Sequence, residues 1–244
     1  MAGPLVTMDV ELLERLQNKP GPERRALVRA LKQENYRENL FECSKFLLGY
    51  KDLTYKTHNP ICELLTADTT RKLIVLPRGS FKSSIACEAY PVWLLLNNPD
   101  LRILLDSEVY TNSKNFLRQI RSHLQSDKVV DLFGSFGPTE NWNEGEITIS
   151  QRKIIKKEAS ITCSGIGAVK VGQHYDWVIF DDLNSPNNSN TPEGREKVIQ
   201  HYRMSISLLE PGGTLVVIGT RYHQNDIIGW ILEHELEGQG LLRI

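Results

Sequence analysis

The sequence has no cysteine pair at metal-binding spacing, no long apolar run and no excess of positive charge. Its four cysteines, Cys43, Cys62, Cys87 and Cys163, stand far apart and form no C-x-x-C unit. That excludes a zinc ribbon and reads as reduced core thiols of a cytosolic protein. No stretch approaches the roughly 18 apolar residues of a membrane helix. The N-terminus "MAGPLVTMDVELLERL" is acidic and amphipathic, unlike a secretory signal. With 29 basic and 30 acidic residues the net charge is -1, so no global field marks a nucleic-acid binder. Any DNA contact has to come from a local patch or from an assembly that concentrates several copies.

What is present suits a folded domain. The 244 residues, 40% hydrophobic and 24% charged, allow one large domain with or without a small attachment. Residues 8–50 carry apolar positions at helical spacing, among them Val10, Leu13, Leu27, Val28, Leu31, Phe41 and Leu47, with a break at "NKPGPE". From residue 72 the texture changes to short apolar runs, "KLIVLP", "LRILLD", "EITIS", "SITCS", "WVIFDD" and "TLVVIGT", separated by amphipathic stretches such as 82–97 and 112–126. Apolar runs without alternation suit strands buried on both faces of a parallel sheet, with helical crossovers between them. The expected fold is α/β: a mainly parallel sheet flanked by helices, preceded by a helical N-terminal subdomain. No repeat or low-complexity tract interrupts it.

Three stretches carry chemistry. "KLIVLPRGSFKSS" (72–84) is a strand, a turn and a helix start. It departs from G-x-x-x-x-G-K-[ST], because Leu76 and Phe81 stand where glycines are usual. Yet each role has an occupant. Pro77 ends the strand, Gly79 can take positive φ, Lys82 is the cation for phosphate oxygens, Ser83 is a hydroxyl for Mg²⁺, and Ser84 begins the helix whose N–H groups face an anion. The same residues also suit an ordinary strand-to-helix turn with a surface lysine. In "HYDWVIFDDL" (174–183) an apolar strand runs into Asp181 and Asp182, one able to hold Mg²⁺ and the other to polarise water. This strand is expected to neighbour the phosphate loop; a solvated Asp-Asp turn is the bland alternative. In "GTLVVIGTRYHQND" (213–226) a strand ends at Gly219-Thr220, a hydroxyl placed to sense a γ-phosphate. For His223 and Asp226, a surface histidine and a helix cap are favoured over a metal or acid–base pair.

In this order, "PRGSFKSS", "DWVIFDDL" and "PGGTLVVIGTRYHQNDIIGWIL" resemble the ATPase half of tailed-bacteriophage large terminases, over roughly residues 42–235. The resemblance implies a P-loop NTPase of the RecA (ASCE) type that hydrolyses ATP with Mg²⁺ and drives double-stranded viral DNA through a portal into a procapsid. It implies an ATP site from Pro77, Arg78, Gly79, Ser80, Phe81, Lys82, Ser83 and Ser84, with Lys82, Asp182 and Arg78 catalytic. Ser83 and Asp181 hold the metal, and Thr220 couples. The adenine side falls to Tyr50, Tyr55 or His58, although a tyrosine-rich segment packed on the core explains them equally. Implied partners are the DNA, the portal protein, the small terminase subunit and further copies in a ring. An isolated chain is expected to be monomeric. No membrane is involved, and the place of action is the host cytoplasm during assembly, outside the mature virion.

Two departures bear on mechanism. The family's arginine-bearing turn before the second motif reads "VKVGQHYD" here, with Gln173 at the arginine's place. That leaves a trans-acting group open among Lys170, Arg102, Arg118 and Arg121, with Arg78 as a group in cis. The chain also ends at "GLLRI", which leads to an expected layout of a helical lid at 1–60, an ATPase core at 61–235 and a linker start at 236–244 toward a nuclease domain absent here. No DNA cleavage is then expected from this chain. A helicase-like DNA-dependent ATPase and a non-hydrolysing assembly module remain as other readings. The run "QRKIIKKE" (151–158) is a solvated hairpin face or, in a ring, a basic channel lining.

Overall fold

The computed structural model describes residues 20–168, 172–235 and, for the backbone, 242–243. The strands are β1 (Arg71–Val75), β2 (Ile103–Ser107), β3 (Glu146–Ile147), β4 (Ile161–Gly165), β5 (Tyr175–Asp181), β6 (Leu209–Gly219) and β7 (Leu242–Arg243). They form one sheet in the order β3-β4-β2-β5-β6-β1-β7, parallel except for the β3–β4 pair. Each of the six apolar runs in the sequence supplies a strand.

Alternate residues of each central strand enter different cores, which is why these runs carry no polar face. Ile74, Ile103, Leu105, Ile179, Val216 and Ile218 pack on one side, and Leu73, Leu104, Val178, Phe180, Leu215 and Val217 on the other. The first face is covered by a π-helical turn (Ser84–Ala89) running into α3 (Tyr90–Asn97), and by α4 (Tyr110–Leu124). The second face is covered by α7 (Pro192–Ile206) and α8 (Ile227–His234). Shorter helices, α5 (Asp127–Phe133) and α6 (Pro186–Ser189), lie between.

The N-terminal helices divide into two kinds. α1 (Gly21–Glu38) buries no residue, and the apolar positions Leu27, Val28 and Leu31 are only half covered. It is held from outside, Arg37 Nε donating to Leu96 O at 3.2 Å. By contrast Leu40, Phe41, Leu47, Leu53 and Ile61, Cys62, Leu64 and Leu65 of α2 (Tyr55–Thr66) share the core of the first sheet face. Residues 40–66 are therefore part of the main body, not a separate layer. Residues 1–19, 169–171 and 236–241 fall outside the described residues, and with them the first expected helix, Lys170 and most of the expected linker.

Register fixes the functional edge. Val75 pairs with Gly219, Asp181 with Ile218 and Ser107 with Asp181. The carboxyl ends of β1, β6, β5 and β2 therefore line up, at the edge where open parallel sheets bind ligands. β6 lies between β5 and β1, and the loop after β1 reaches over β6 to meet Asp181.

Candidate functional site

The loop after β1 bends back on two left-handed residues, Gly79 at φ 81° and Phe81 at φ 56°. Glycine takes such a φ freely, whereas a bulky side chain is strained there. Phe81 keeps the turn that glycine would provide because its ring is anchored. It lies edge-on to His58, centroids 5.4 Å apart, and packs on the main core. The helix opens at Lys82, and residues Gly79 to Ser84 line a cavity of about 280 Å³. Inside the loop the Ser80 hydroxyl is buried without a hydrogen-bond partner among the described residues, an unmet polar atom that suits an anionic ligand.

The unusual φ of Phe81 gives an ordering of stabilities. Phe81→Ala gives up the ring's packing and keeps the strain; Phe81→Gly gives up the same packing and releases about 1 kcal/mol of strain. Thermal melts are expected to rank wild type above Phe81→Gly and Phe81→Gly above Phe81→Ala. An Ala variant more stable than the Gly variant would contradict the left-handed loop.

Lys82 is 5% exposed and its Nζ lies 3.9 Å from Asp182 Oδ2. Ser83 Oγ donates to Asp181 Oδ1 at 2.6 Å. Asp181 is 6% exposed, and burial pushes its carboxyl up to about 6; the Ser83 hydrogen bond opposes the rise, the Asp182 charge adds to it, and Lys82 opposes it. Asp182 itself turns left-handed at φ 40°, and its Oδ1 accepts from Thr220 N at 2.9 Å. Thr220 Oγ1 in turn donates to Leu76 O at 3.4 Å. All three motifs thus meet within one hydrogen-bonded unit.

Other predicted residues are placed differently. Arg78 is exposed and does not line the cavity; its Nη2 donates to Tyr222 OH at 2.6 Å and its guanidinium lies 5.9 Å over that ring. Tyr222 was not legible as a partner, because only the fold brings residues 78 and 222 together. Of the adenine candidates, His58 touches Phe81 and accepts from Thr54 N at 2.8 Å. Tyr55 is 40% exposed beside Phe41. Tyr50 is turned into another cluster, its hydroxyl donating to Glu88 Oε2 at 2.6 Å and lying 2.9 Å from His123 Nε2. His223 accepts from Asn225 N, and Asp226 caps α8 by accepting from Gly229 N at 3.0 Å, as the bland reading of this pair has it.

Arg102 is a correction. It sits before β2, at the opposite end of the sheet, 7% exposed. It holds Asp176 with two hydrogen bonds of 3.1 and 2.8 Å, Glu210 at 2.9 Å and Glu158 at 3.7 Å. A guanidinium neutralising three carboxylates inside its own chain is not free to reach a neighbour. Arg118 is exposed on α4 and its side chain donates to Asn115 Oδ1 at 2.6 Å, while Arg121 donates to Asn143 O at 3.3 Å and lies 5.8 Å over Trp142.

No protein-family profile matches the chain. In sequence it is 28% identical over 167 residues to the terminase large subunit of Enterobacteria phage T3, a match covering 64% of this chain and 27% of that protein. Over this stretch the chain is similar to a phage large terminase. Among solved structures, S. cerevisiae Dbp5 bound to Nup159, Gle1, IP6 and ADP superposes with TM-score 0.51 at 10% identity, covering 84% of this chain and 51% of that one. This likeness shows the fold alone, an α/β arrangement of a mainly parallel sheet flanked by helices. A variant of the Thermus phage P74-26 large terminase ATPase domain gives TM-score 0.49 at 16% identity, covering 77% and 72%. The sequence match thus spans about a quarter of the length of the terminase subunit it resembles.

Proposed function

We propose that this chain is the ATP-hydrolysing motor region of a viral large terminase, powering movement of double-stranded DNA into a procapsid. The observation that carries the reading is the 2.6 Å hydrogen bond from Ser83 to Asp181 with Lys82 buried alongside. A hydroxyl and a buried carboxylate give the hard oxygen donors that Mg²⁺ takes when nucleotide phosphates complete its shell. Ser83 and Asp181 would hold that ion, which when bound would neutralise charge on the phosphate oxygens.

The other roles belong to the chain's own groups. The loop from Pro77 to Ser84 wraps the phosphates with backbone N–H groups, and Lys82 places its charge on the β- and γ-oxygens. Asp182, held toward the cavity by Thr220 N, accepts a proton from the attacking water. A change at the γ-position then passes through the Thr220 amide into the start of α8, which is the coupling role. His58 borders the base, while Tyr50 fixes the loop helix through Glu88.

The surroundings follow from the same reading: a portal, a small subunit, a ring of copies and the host cytoplasm during assembly, outside the finished virion. No helix among the described residues is long and apolar enough to cross a membrane.

A phosphate-release assay tests the proposal. Lys82→Ala removes the cation and leaves a good helix start, so the protein should fold and lose about 100-fold or more in turnover. A folded Lys82→Ala protein with wild-type turnover would refute the assignment.

A further inference from the structure

The structure assigns residues 151–158 to contact with a polyanion: we propose that this loop docks on duplex DNA, its lysines on phosphates and Ile155 against the groove. The loop leaves the body at the amino ends of β2, β4 and β5, the edge opposite the phosphate loop. Ile154 and Ile155 are 50% and 99% exposed at its tip. Lys153, Lys156 and Lys157 are exposed around them.

The loop is built rather than slack. Asp100 Oδ1 accepts from Lys153 N at 2.6 Å and Ile154 N at 2.9 Å, and Arg152 turns inward to donate to Glu158 O at 2.6 Å. Lys157 Nζ also reaches Gly172 O. The one acid of the segment, Glu158, is buried, 3.7 Å from Arg102 and 3.8 Å from Lys157. In a chain of net charge -1, this tip presents three exposed lysines; Lys157 lies by the buried Glu158 and Lys153 by Asp100, and Lys156 has no ion pair among the described residues.

The chemistry narrows the partner. Lysines are point charges that bind phosphate without bidentate base readout, so the contact is independent of sequence. Branched apolar side chains between cations are what proteins wedge into a groove or set against thymine methyls. The choice of duplex DNA over other polyanions rests on the motor reading; the loop's charge and shape do not.

Fluorescence anisotropy of a short labelled duplex, titrated without nucleotide over a range of salt, tests it. Replacing Lys153, Lys156 and Lys157 together by Gln is expected to weaken binding and to flatten the slope of log K against log salt by roughly 0.9 for each lysine replaced, about 2.7 in all. Ile155→Ser should weaken binding about fivefold or more at unchanged slope. Asp100→Ala should weaken it and Asp100→Asn restore it, because the amide oxygen can accept the same two N–H groups. DNA-free turnover should stay at wild-type level in all four. Failure of the nucleotide reading would show in the Lys82→Ala assay and leave these titrations readable. Wild-type affinity and slope in the triple variant, or no duplex binding by the wild type at low salt, would overturn the proposal. So would a triple variant that keeps its DNA binding and loses the rise of specific activity with protein concentration, which would make the loop a contact between copies.

Discussion

Asp182→Asn is expected to bind Mg-ATP with near wild-type affinity and to hydrolyse it about 10²- to 10⁴-fold more slowly, the usual cost of losing an effective base. The geometry makes this substitution unusually clean. Position 182 is left-handed at φ 40°, and asparagine tolerates that conformation better than other non-glycine residues. The Oδ1 that accepts from Thr220 N survives as an amide oxygen, so the third motif stays tied. What disappears is the negative charge, and with it the 3.9 Å approach to Lys82. Asp181→Asn is the contrasting case. It keeps an acceptor for Ser83 and removes the charge that would bind the metal, so Mg²⁺-dependent nucleotide binding should fail. Calorimetry separates the two, and loss of binding in both variants would show that the roles are not divided in this way.

The sign of the Asp181 shift adds a second reading of the same pair. An acid whose folded pKa is raised by burial, here from the ordinary carboxylate range to about 6, lowers stability as pH rises from its unfolded value through 6, and the deficit then stays constant. At neutral pH the ionised Asp181 is therefore a cost to the free protein. Such a cost agrees with the ligand-holding role proposed for Asp181.

Much of this was legible in the sequence, for local reasons. Unbroken apolar runs signal strands buried on two faces, and all six of them lie in the sheet. The Lys82-Ser83 and Asp181-Asp182 pairs were readable because each follows a strand directly, so strand polarity alone sends them to the same edge. Strand order was not readable. A motif says that two strands end near one ligand, not that β6 is inserted between them. Arg102 shows the same limit for charge. Its acidic partners are spread along the chain at Glu158, Asp176 and Glu210, and only the sheet gathers them. Phe81 shows the limit of pattern matching: glycine is usual there for its φ, and a bulky residue can hold the same φ when a core contact such as that with His58 outweighs the strain.

Hydrolysis is expected to depend on assembly, and the placement of the basic residues narrows how. Among the described residues near the cavity, Lys82 is engaged with Asp182 and Arg78 with Tyr222. Among the described residues Lys82 is the one cation lining the loop cavity, so under the proposed function charge developing on the γ-phosphate lacks a second stabilising group. A group supplied from a neighbouring copy is worth about 10³- to 10⁵-fold in P-loop enzymes. The isolated chain should therefore be monomeric and slow, with specific activity that rises with protein concentration. With Arg102 committed to its three carboxylates, the candidates are Lys170, Arg118 and Arg121, and of the two described residues Arg118 has the weaker ties to its own chain. Mixing a Lys82→Ala chain, whose trans group is intact, with an Arg118→Ala chain, whose phosphate loop is intact, should restore turnover that neither shows alone. If every such mixture fails, with Lys170 and Arg121 tried in the same way, and specific activity is flat with concentration, the site completes itself. Arg78, released from Tyr222 toward the phosphates, would then be the stabilising group, and Arg78→Ala would carry the loss.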